Sequence, residues 1–373
     1  MSERCELRIN VAAIERNAAR FAGAAPGAAL CVVVKADGYG HGMFPAARAA
    51  LAGGAQWLAV ATAREGAELR RELGPGVPIL LLGVLTADEL SIAVGAALDL
   101  GAWTVEFAEA AAAAAARQGT RARLHVKLDT GLGRLGTRDP DEADAVADLV
   151  AASESAELVA GWTHFATADD RTDSFFEVQL ERFSAWGRSL RARHPRTLLH
   201  AANSAATLRD ERAHFDLVRC GVGIYGLDPF GDDPAGHGLE PAMSLRATVG
   251  AVKACRPGES TGYGRRFVAG THTTVATIPV GYGDGYRRSF EGACVAVGGS
   301  LRPVTGTVSM DNITVDLGPG GSSVRPGDEA WLLGGGGPRA EELARVAGTI
   351  NYEITCGISG RPSRLLHRDG DPV

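Results

Sequence analysis

The sequence has 373 residues and a formal net charge of −6, with 45% hydrophobic and 22% charged residues. This composition is typical of a globular protein that is long enough for two domains. The acidic balance and the scattered basic residues argue against a nucleic-acid-binding surface.

The chain contains no sign of a membrane segment, a secretory signal or a metal site. No apolar run approaches the ~20 residues that span a bilayer. The first residues carry charges such as Glu3 and Arg4, where a signal peptide would be apolar. The six cysteines are widely spaced and form no CxxC pair, which favours reduced thiols over disulfides or zinc. The sequence therefore predicts a cytoplasmic protein without a metal.

The first predicted helix follows Asn10, which is a candidate N-cap. Apolar residues at Val11, Ile14 and Phe21 recur with helical spacing, and Gly23 follows them. We therefore expect this helix to end near Gly23.

Eight short strand-like runs then alternate with helical patterns. The runs lie near residues 30–35, 57–61, 79–83, 98–104, 123–128, 158–164, 198–202 and 216–220. Helical patterns are visible at residues 45–51, 87–97, 141–152 and 175–193. Eight alternating strand–helix units predict an α/β fold with an N-terminal (β/α)8 TIM-type barrel.

The pattern changes after about residue 235. Val, Thr and Gly dominate, and helical periodicity returns only at residues 340–347. This predicts a C-terminal, mainly antiparallel β domain. We therefore predict domains at 1–234 and 235–373, and the short segment 1–9 could join the β domain.

Several polar residues lie where barrel strands are predicted to end. Active sites of such barrels form at the carboxyl ends of the strands. The residues concerned are Lys35, Lys127, Asp129, His164, Asn203, Ser204 and Arg219. Each has an ordinary explanation by itself, such as a lysine that reaches solvent, a core histidine, a helix cap or a salt-bridge partner. Their joint placement on the strand ends of one barrel favours a common site.

The last two barrel loops are suited to binding a phosphate group. Ser204 offers a hydroxyl, and Gly221 and Val222 offer backbone amides. A lysine across from a phosphate site, here Lys35, can form a Schiff base with pyridoxal 5′-phosphate (PLP). The residues thus predict a PLP site.

Nine sequence motifs extend this prediction over nearly the whole chain. They are VVVKADGYGHG (32–42), HVKLDTGLGRLG (125–136), THFATADD (163–170), HAANSAA (200–206), FDLVRCGVGIYGL (215–227), TGYGRRF (261–267), IPVGYGDGYRR (278–288), GTVSMDN (306–312) and TINYEITC (349–356). With these motifs in this order, the sequence resembles alanine racemase, a fold-type III PLP enzyme.

The resemblance implies a two-base interconversion of L-alanine and D-alanine that supplies D-alanine for peptidoglycan. It also implies a head-to-tail homodimer with shared active sites. A related racemase for serine or for a broader range of small amino acids is the nearest alternative. A non-catalytic PLP-binding protein is a second alternative, but proteins of that kind lack the β domain.

The resemblance assigns the catalytic and cofactor-binding residues. Lys35 and Tyr263 would be the two catalytic bases, and Lys35 would also hold the cofactor covalently. Arg219 would hydrogen-bond the pyridine nitrogen, and His164 would support Arg219. The other expected cofactor-binding residues are Tyr39, Asn203, Ser204, Gly221, Val222 and Tyr352.

The resemblance also assigns the surroundings of the substrate. Arg134, Met310, Tyr282 and Asp311 would bind or orient it, and Lys127 matches a lysine that is carbamylated in many members. Tyr263, Met310 and Tyr282 would complete the site of the partner subunit. The chain departs from the family pattern at several positions, among them Gly283, where alanine is usual.

Overall fold

The computed structural model describes residues 4–319 and 323–373. Two compact units are present in the described chain. The barrel unit comprises Glu15–Ile224, and the sheet unit comprises Tyr225–Val373 together with the N-terminal residues up to Ile14.

The chain begins with strand β1 (Cys5–Asn10) and helix α1 (Val11–Ala24). The side chain of Asn10 accepts a hydrogen bond from the backbone N–H of Ala12, at 3.2 Å, as expected of an N-terminal cap. The helix ends at Ala24, one residue after the Gly23 near which the sequence predicts its end. A single glycine costs a helix only about 1 kcal/mol, which the buried apolar face of α1 offsets.

Eight parallel strands form a closed barrel, which confirms the predicted TIM-type fold. They are β2 (Ala29–Val33), β3 (Trp57–Val60), β4 (Ile79–Leu81), β5 (Asp99–Ala102), β6 (Ala122–Lys127), β7 (Ala156–Trp162), β8 (Leu198–His200) and β9 (Leu217–Cys220). Neighbouring strands pair in chain order, and β9 pairs with β2 to close the ring. The carboxyl ends of all eight strands therefore lie at one end of the barrel.

Helices connect these strands. They are α2 (Lys35–Tyr39), α3 (Met43–Ala52), α4 (Ala63–Leu73), α5 (Ala87–Gly95), α6 (Val105–Arg117), α7 (Pro140–Ala152), α8 (Phe175–Arg193) and α9 (Ser204–Arg209). Capping boxes at Thr62–Glu65 and Thr86–Glu89 fix the starts of α4 and α5. The sequence patterns predict α3, α5, α7 and α8 but not α4 and α6. Because α6 consists largely of alanine, its two faces differ little in hydrophobicity.

The sheet unit contains a ten-stranded, mostly antiparallel sheet, as predicted. Its strands after β1 are β10 (Met243–Thr248), β11 (Ala251–Cys255), β14 (Thr273–Ile278), β15 (Cys294–Val297), β16 (Ser300–Thr305), β17 (Ile313–Gly318), β18 (Glu329–Leu333), β19 (Ser363–Arg368) and β20 (Asp371–Pro372). Two further strands, β12 (Ser260–Thr261) and β13 (Phe267–Val268), form a separate pair, and two helices, α10 (Ala340–Ala347) and α11 (Asn351–Cys356), precede β19.

Strand β1 lies inside this sheet, between β10 and β19. It pairs antiparallel with β10, where Leu7 faces Leu245, and parallel with β19, where Leu7 faces Arg364. The alternating burial of β1 places Leu7 and Ile9 in the core. The N-terminal strand is thus an integral part of the sheet unit.

The core of the barrel unit combines apolar and polar side chains. Leucine, valine and alanine from the strands are fully buried, and so are His125, His200, Arg219, Asp99 and Lys127. Buried charges are rare unless they are paired, so this polar interior marks a specialised region. The helices of the described residues are all too short or too polar to cross a bilayer.

Candidate active site

Lys35 lies just past the end of β2 and begins a left-handed turn. Strand β2 ends at Val33, so Lys35 follows the strand and does not end it. Residues 36–39 all have φ angles between +51° and +62°. Three of these four residues carry a Cβ atom, and left-handed backbone costs L-residues roughly 1–2 kcal/mol each. Strain of this kind is characteristic of functional sites.

Two carboxylates hold the left-handed turn in place. The side chain of Glu65 accepts a hydrogen bond from the backbone N–H of Ala36 at 2.8 Å. The side chain of Asp37 accepts one from the backbone N–H of Met43, also at 2.8 Å. These contacts fix the backbone on which Lys35 and Tyr39 are carried.

Tyr39, Ser204 and Gly221 meet in a cradle at the carboxyl end of the barrel. The hydroxyl of Ser204 accepts hydrogen bonds from the N–H groups of Gly221, at 3.0 Å, and Gly223, at 3.4 Å. A Cβ atom at position 221 would lie 2.5 Å from the Tyr39 hydroxyl oxygen, so a side chain there would displace the tyrosine ring. Two hydroxyls beside closely approaching backbone amides form a suitable site for a phosphate group. The cradle therefore fits the phosphate of PLP.

Asn203 and Val222 flank this cradle. The side chain of Asn203 caps α9 by accepting a hydrogen bond from the N–H of Ala206 at 2.9 Å. It thereby fixes the N-terminus of the helix at which Ser204 lies. Val222 follows Gly221 and is buried.

Arg219 is 3% exposed and is held by four hydrogen bonds. Its Nη1 donates to Nδ1 of His200 at 2.7 Å. Its Nη2 donates to the carbonyl oxygens of Thr163, at 2.8 Å, and Ala201, at 2.9 Å, and to Nδ1 of His164 at 3.1 Å. Within the described part of the chain, Nε of Arg219 has no hydrogen-bond acceptor. The free Nε–H is the donor that a pyridine nitrogen requires.

In this cluster Arg219 is cationic and His164 is neutral near neutral pH. Burial lowers the pKa of Arg219 to about 10, which still leaves the guanidinium protonated near neutral pH. Burial and the positive charges of Arg219 and Lys127 hold the pKa of His164 well below its usual value. A neutral imidazole can accept the hydrogen bond from Arg219, as the geometry requires.

Lys127 is the last residue of β6 and is almost fully buried. Its Nζ lies 4.1 Å from the ring centroid of Trp162, and the guanidinium carbon of Arg219 lies 5.0 Å from the same ring. Burial and the charges of Arg219 and Arg134 lower the pKa of Lys127 to about 7. A large fraction of this amine is therefore neutral near pH 7.

Asp129 organises the loop that follows Lys127. Its carboxylate accepts hydrogen bonds from the N–H groups of Gly131, at 3.1 Å, and Gly133, at 3.0 Å, and pairs with Arg138 at 3.1 Å. Arg134 lies in this loop and is exposed. Its positive charge lowers the pKa values of both Lys127 and His164, which lie at the carboxyl end of the barrel.

The sheet unit carries Tyr263, Met310 and Tyr282 on one connected and exposed region. Their exposed fractions are 72%, 53% and 41%. The Thr307 hydroxyl donates to the carbonyl oxygen of Tyr263 at 3.0 Å, and the N–H of Tyr282 donates to the carbonyl oxygen of Ser309, also at 3.0 Å. The segment 307–310 thus links the turns that carry the two tyrosines.

Arg361 supports the same region of the sheet unit. It pairs with Asp311 at 2.9 Å and approaches the buried carboxylate of Asp284 at 3.6 Å. A Cβ atom at Gly283 would lie 2.1 Å from a guanidinium nitrogen of Arg361, so the missing methyl group provides the space that Arg361 occupies. Tyr352 lies separately in α11 and is half-buried.

Several residues of the barrel site are not among those predicted from the sequence. Trp162 lies beneath both Lys127 and Arg219, and His200 accepts a hydrogen bond from Arg219. His200 occurs in the motif HAANSAA, but its role depends on its neighbours in the folded barrel. Glu65 accepts a hydrogen bond from Ala36, and Arg138 donates one to Asp129. Neither contact joins residues that are adjacent in the sequence.

Comparison with known proteins identifies the family. The family model described as alanine racemase, N-terminal domain, matches residues 9–229, and the model described as alanine racemase, C-terminal domain, matches residues 242–366. The chain belongs to the alanine racemase family. Members of this family are PLP-dependent isomerases, and the chain is an enzyme of that class.

Individual alanine racemases match over almost their whole length. The alanine racemase of Thermobifida fusca is 44% identical over 380 aligned positions, which cover 98% of each chain. That of Frankia casuarinae is 41% identical and covers 95% of this chain and 94% of its own length. The structure of alanine racemase from Streptomyces coelicolor superimposes with a TM-score of 0.93 at 38% identity, covering 97% of this chain and 98% of the other.

Proposed function

We propose that this enzyme interconverts L-alanine and D-alanine through a two-base mechanism in which Lys35 and Tyr263 act on opposite faces of Cα. The observation that carries the proposal is the buried Arg219, whose Nε–H has no acceptor in the described chain while its other nitrogens are anchored. This arrangement is suited to a planar heterocycle that accepts one hydrogen bond.

The cradle and the left-handed turn would hold the cofactor. Tyr39, Ser204, Gly221 and Val222 would bind its phosphate, with Asn203 positioning Ser204 and Tyr352 contributing a further hydroxyl. Lys35 would provide the covalent anchor. When bound, PLP supplies an electron-withdrawing ring that makes the Cα–H bond of an attached amino acid more acidic.

The protein's own groups would then move the proton. The amine of Lys35 takes a proton from one face of Cα or returns one to it, and the phenol of Tyr263 does the same on the other face. Arg219 can only donate a hydrogen bond, since a guanidinium has no acceptor site. It therefore orients the cofactor ring through Nε while His164 and His200 fix the guanidinium plane.

Substrate recognition would involve both units. We assign Arg134 to orienting the substrate region, the Met310 backbone amide to its carboxylate, and Tyr282 to the entrance of the site. Arg361 would hold Asp311 next to Met310.

We propose that two copies assemble head to tail, so that Tyr263, Met310 and Tyr282 of one subunit complete the barrel site of the other. The high exposure of these three side chains within the sheet unit supports this assembly, since a catalytic phenol needs an enclosed site. A site at the junction of two subunits would give the second domain a role in catalysis. The domain boundary between residues 234 and 235 remains a prediction.

We further propose that the enzyme acts in the cytoplasm and supplies D-alanine for peptidoglycan. The six cysteines are free, and four of them are buried, as expected of a protein that folds under reducing conditions.

The activity is tested directly by incubating the purified, PLP-loaded protein with L-alanine. We expect D-alanine to accumulate until the two enantiomers are equal, as measured by chiral chromatography. L-serine, assayed in parallel, distinguishes an alanine racemase from a broader racemase. Cofactor binding without any product from either amino acid would instead support a non-catalytic PLP-binding protein.

The lowered pKa of Lys127 supports a separate prediction, which is that this lysine is carbamylated. Only a neutral amine adds CO2, losing one proton as the carbamate forms, so the modification should increase as the pH rises through about 7. With ¹³C-bicarbonate, we expect a carbamate resonance that strengthens from about one unit below this pKa to about one unit above it.

The lysine content of the chain makes this experiment selective. Lysine occurs only at positions 35, 127 and 253. Lys127→Met should remove the resonance, whereas Lys253→Met, at an exposed position, should leave it intact. A resonance that persists in Lys127→Met would disprove the assignment.

A further inference from the structure

A continuous chain of hydrogen bonds runs from Arg219 through the interior of the barrel. Nη1 of Arg219 lies 2.7 Å from Nδ1 of His200, and Nε2 of His200 lies 2.8 Å from Nδ1 of His125. Nε2 of His125 lies 3.1 Å from Oδ2 of Asp99. The four residues lie on strands β9, β8, β6 and β5, and all of them are at most 3% exposed.

Two tryptophans enclose the imidazoles of this chain. The ring of Trp162 stacks on His200 with centroids 5.5 Å apart, and its indole N–H donates to the carbonyl oxygen of His125 at 3.1 Å. Trp57 meets His125 edge-on at 5.7 Å. The rings therefore have little freedom to rotate, and water cannot readily replace a missing partner.

The chemistry of the two ends determines where each proton lies. Arg219 can only donate, so Nδ1 of His200 must accept and the His200 proton must be on Nε2. Burial and the charge of Arg219 hold the pKa of His200 well below its usual value, so the ring is neutral. That proton is donated to Nδ1 of His125, and Nε2–H of His125 is donated to Asp99. Each bond thus has one donor and one acceptor.

The state of Asp99 is consistent with this assignment. Burial by itself would raise the pKa of Asp99, but hydrogen bonds from His125 and Arg123 and the charge of Arg123 act against it and lower it. Asp99 is therefore an anion that only accepts. Arg123 donates to it through Nε at 2.9 Å and also pairs with Glu157 at 2.9 Å.

We propose that Asp99, His125 and His200 are positioning residues that fix the hydrogen-bond polarity of the barrel interior and thereby hold Arg219 in the orientation that presents Nε–H to the cofactor. This inference rests on the proposed role of Arg219 and extends it to a carboxylate three hydrogen bonds away. The same hydrogen bonds link the buried guanidinium of Arg219 to the carboxylate of Asp99, whose negative charge balances it without direct contact. The cofactor site thus gains a fixed N–H donor, and no carboxylate has to lie beside the pyridine nitrogen.

Asp99→Asn is the decisive variant, because it keeps the size of the side chain while it removes the negative charge and replaces one acceptor oxygen with an NH2 donor. Arg123 donates to both carboxylate oxygens of Asp99, at 2.9 Å and 3.3 Å, and the shorter contact should hold the amide oxygen while the NH2 group faces Nε2 of His125. The protons of both histidines would then shift to Nδ1. A proton on Nδ1 of His200 would oppose Nη1–H of Arg219 and displace the guanidinium.

The variant is examined as full-length holoenzyme with two measurements that do not depend on turnover. ¹⁵N NMR of labelled histidine reports the tautomers of His125 and His200. Equilibrium dialysis reports the dissociation constant of PLP, for which we expect an increase of roughly tenfold or more, similar to the effect of removing partners that orient metal-bound histidines. Glu157→Gln is the matched control, since it also removes a carboxylate from Arg123 but lies outside the chain of bonds.

A second pair of variants covers the possibility that Asp99→Asn folds poorly. His125→Gln can accept from His200 and donate to Asp99, so it should retain PLP affinity, whereas His125→Leu should lose it by a similar factor. The proposal is overturned if Asp99→Asn keeps the wild-type tautomers and PLP affinity, or if Glu157→Gln reproduces its effect. It is also overturned if His125→Leu binds PLP as well as His125→Gln.

These results can be separated from a failure of the proposed function. The tautomers and the PLP affinity are measured without alanine. Wild-type protein that shows the assigned tautomers and the expected loss in Asp99→Asn, but releases no D-alanine, would reject the racemase proposal and support the positioning role.

Discussion

Lys35→Ala is expected to abolish covalent retention of the cofactor and to lower racemase activity by roughly 10⁴-fold or more. The substitution removes both the covalent anchor and one of the two proposed bases. The rest of the cradle, formed by Tyr39, Ser204 and Gly221, remains, so the variant should still bind PLP noncovalently. Stability should change little, because Lys35 lies in a turn at the end of the barrel and outside its apolar core.

The measurement is borohydride reduction of the holoenzyme followed by peptide mass spectrometry. The chain has only three lysines, so the cofactor mass should appear on the peptide that contains Lys35 and be absent from those that contain Lys127 and Lys253. Lys253→Ala is the matched control and should retain the adduct and full activity. A cofactor adduct that persists in Lys35→Ala would refute the assignment.

Tyr263→Phe is expected to lower racemisation by about 10²- to 10⁴-fold, which is the usual contribution of a general acid–base. Only the hydroxyl is lost, and the side chain is 72% exposed within the sheet unit, so folding should be unaffected. In D2O, the enantiomer whose Cα hydrogen faces Lys35 should still exchange that hydrogen with retention of configuration. The other enantiomer should lose exchange, and equal losses for both would contradict the two-base assignment.

Mixing the two inactive variants tests whether Tyr263 acts on the partner subunit. In a mixed dimer of Lys35→Ala and Tyr263→Phe, one of the two shared sites contains an intact lysine and an intact tyrosine. Activity should therefore reappear after the variants are unfolded together and refolded. If the tyrosine serves its own subunit, no intact site can form and the mixture will remain inactive.

The barrel could be predicted from the sequence because most of its strands lie in short, largely apolar and buried runs that alternate with helical patterns. The runs predicted near 79–83 and 216–220 overlap β4 and β9. Helix α6 could not be predicted in the same way, since its alanine-rich sequence has too little contrast between its faces. The end of α1 could be predicted to within one residue, because a glycine just after the last apolar residue of a helical pattern marks a helix end.

The location of the barrel site could be predicted because the topology of a parallel barrel brings the carboxyl ends of all its strands together. This reasoning places His164 and Arg219 near one another, and they form a hydrogen bond. It does not reach Asp99 or His125, because their contacts depend on the register of four strands around the barrel. The left-handed backbone at Ala36 was equally invisible, since alanine carries no sequence signal for a positive φ.

The site residues of the sheet unit, unlike those of the barrel, could not be predicted from strand topology. No periodicity or spacing distinguishes Tyr263 from any other exposed tyrosine, and only the resemblance to a known family singled it out. Its proposed function depends on a second copy of the chain, and the sequence of one copy contains no physical signal for that neighbour.

The position of β1 has a consequence for how the protein matures. During synthesis, residues 5–10 leave the ribosome long before their two neighbours in the sheet, which are residues 243–248 and 363–368. The segments of the barrel unit are all made before either neighbour exists. The nascent chain must therefore carry β1 with both edges unpaired until residues 243–248 are made, and with one edge unpaired until residues 363–368 follow. Pairing over such sequence distances is slow. Chaperone capture of β1 would protect the growing chain from aggregation until both neighbouring strands are made.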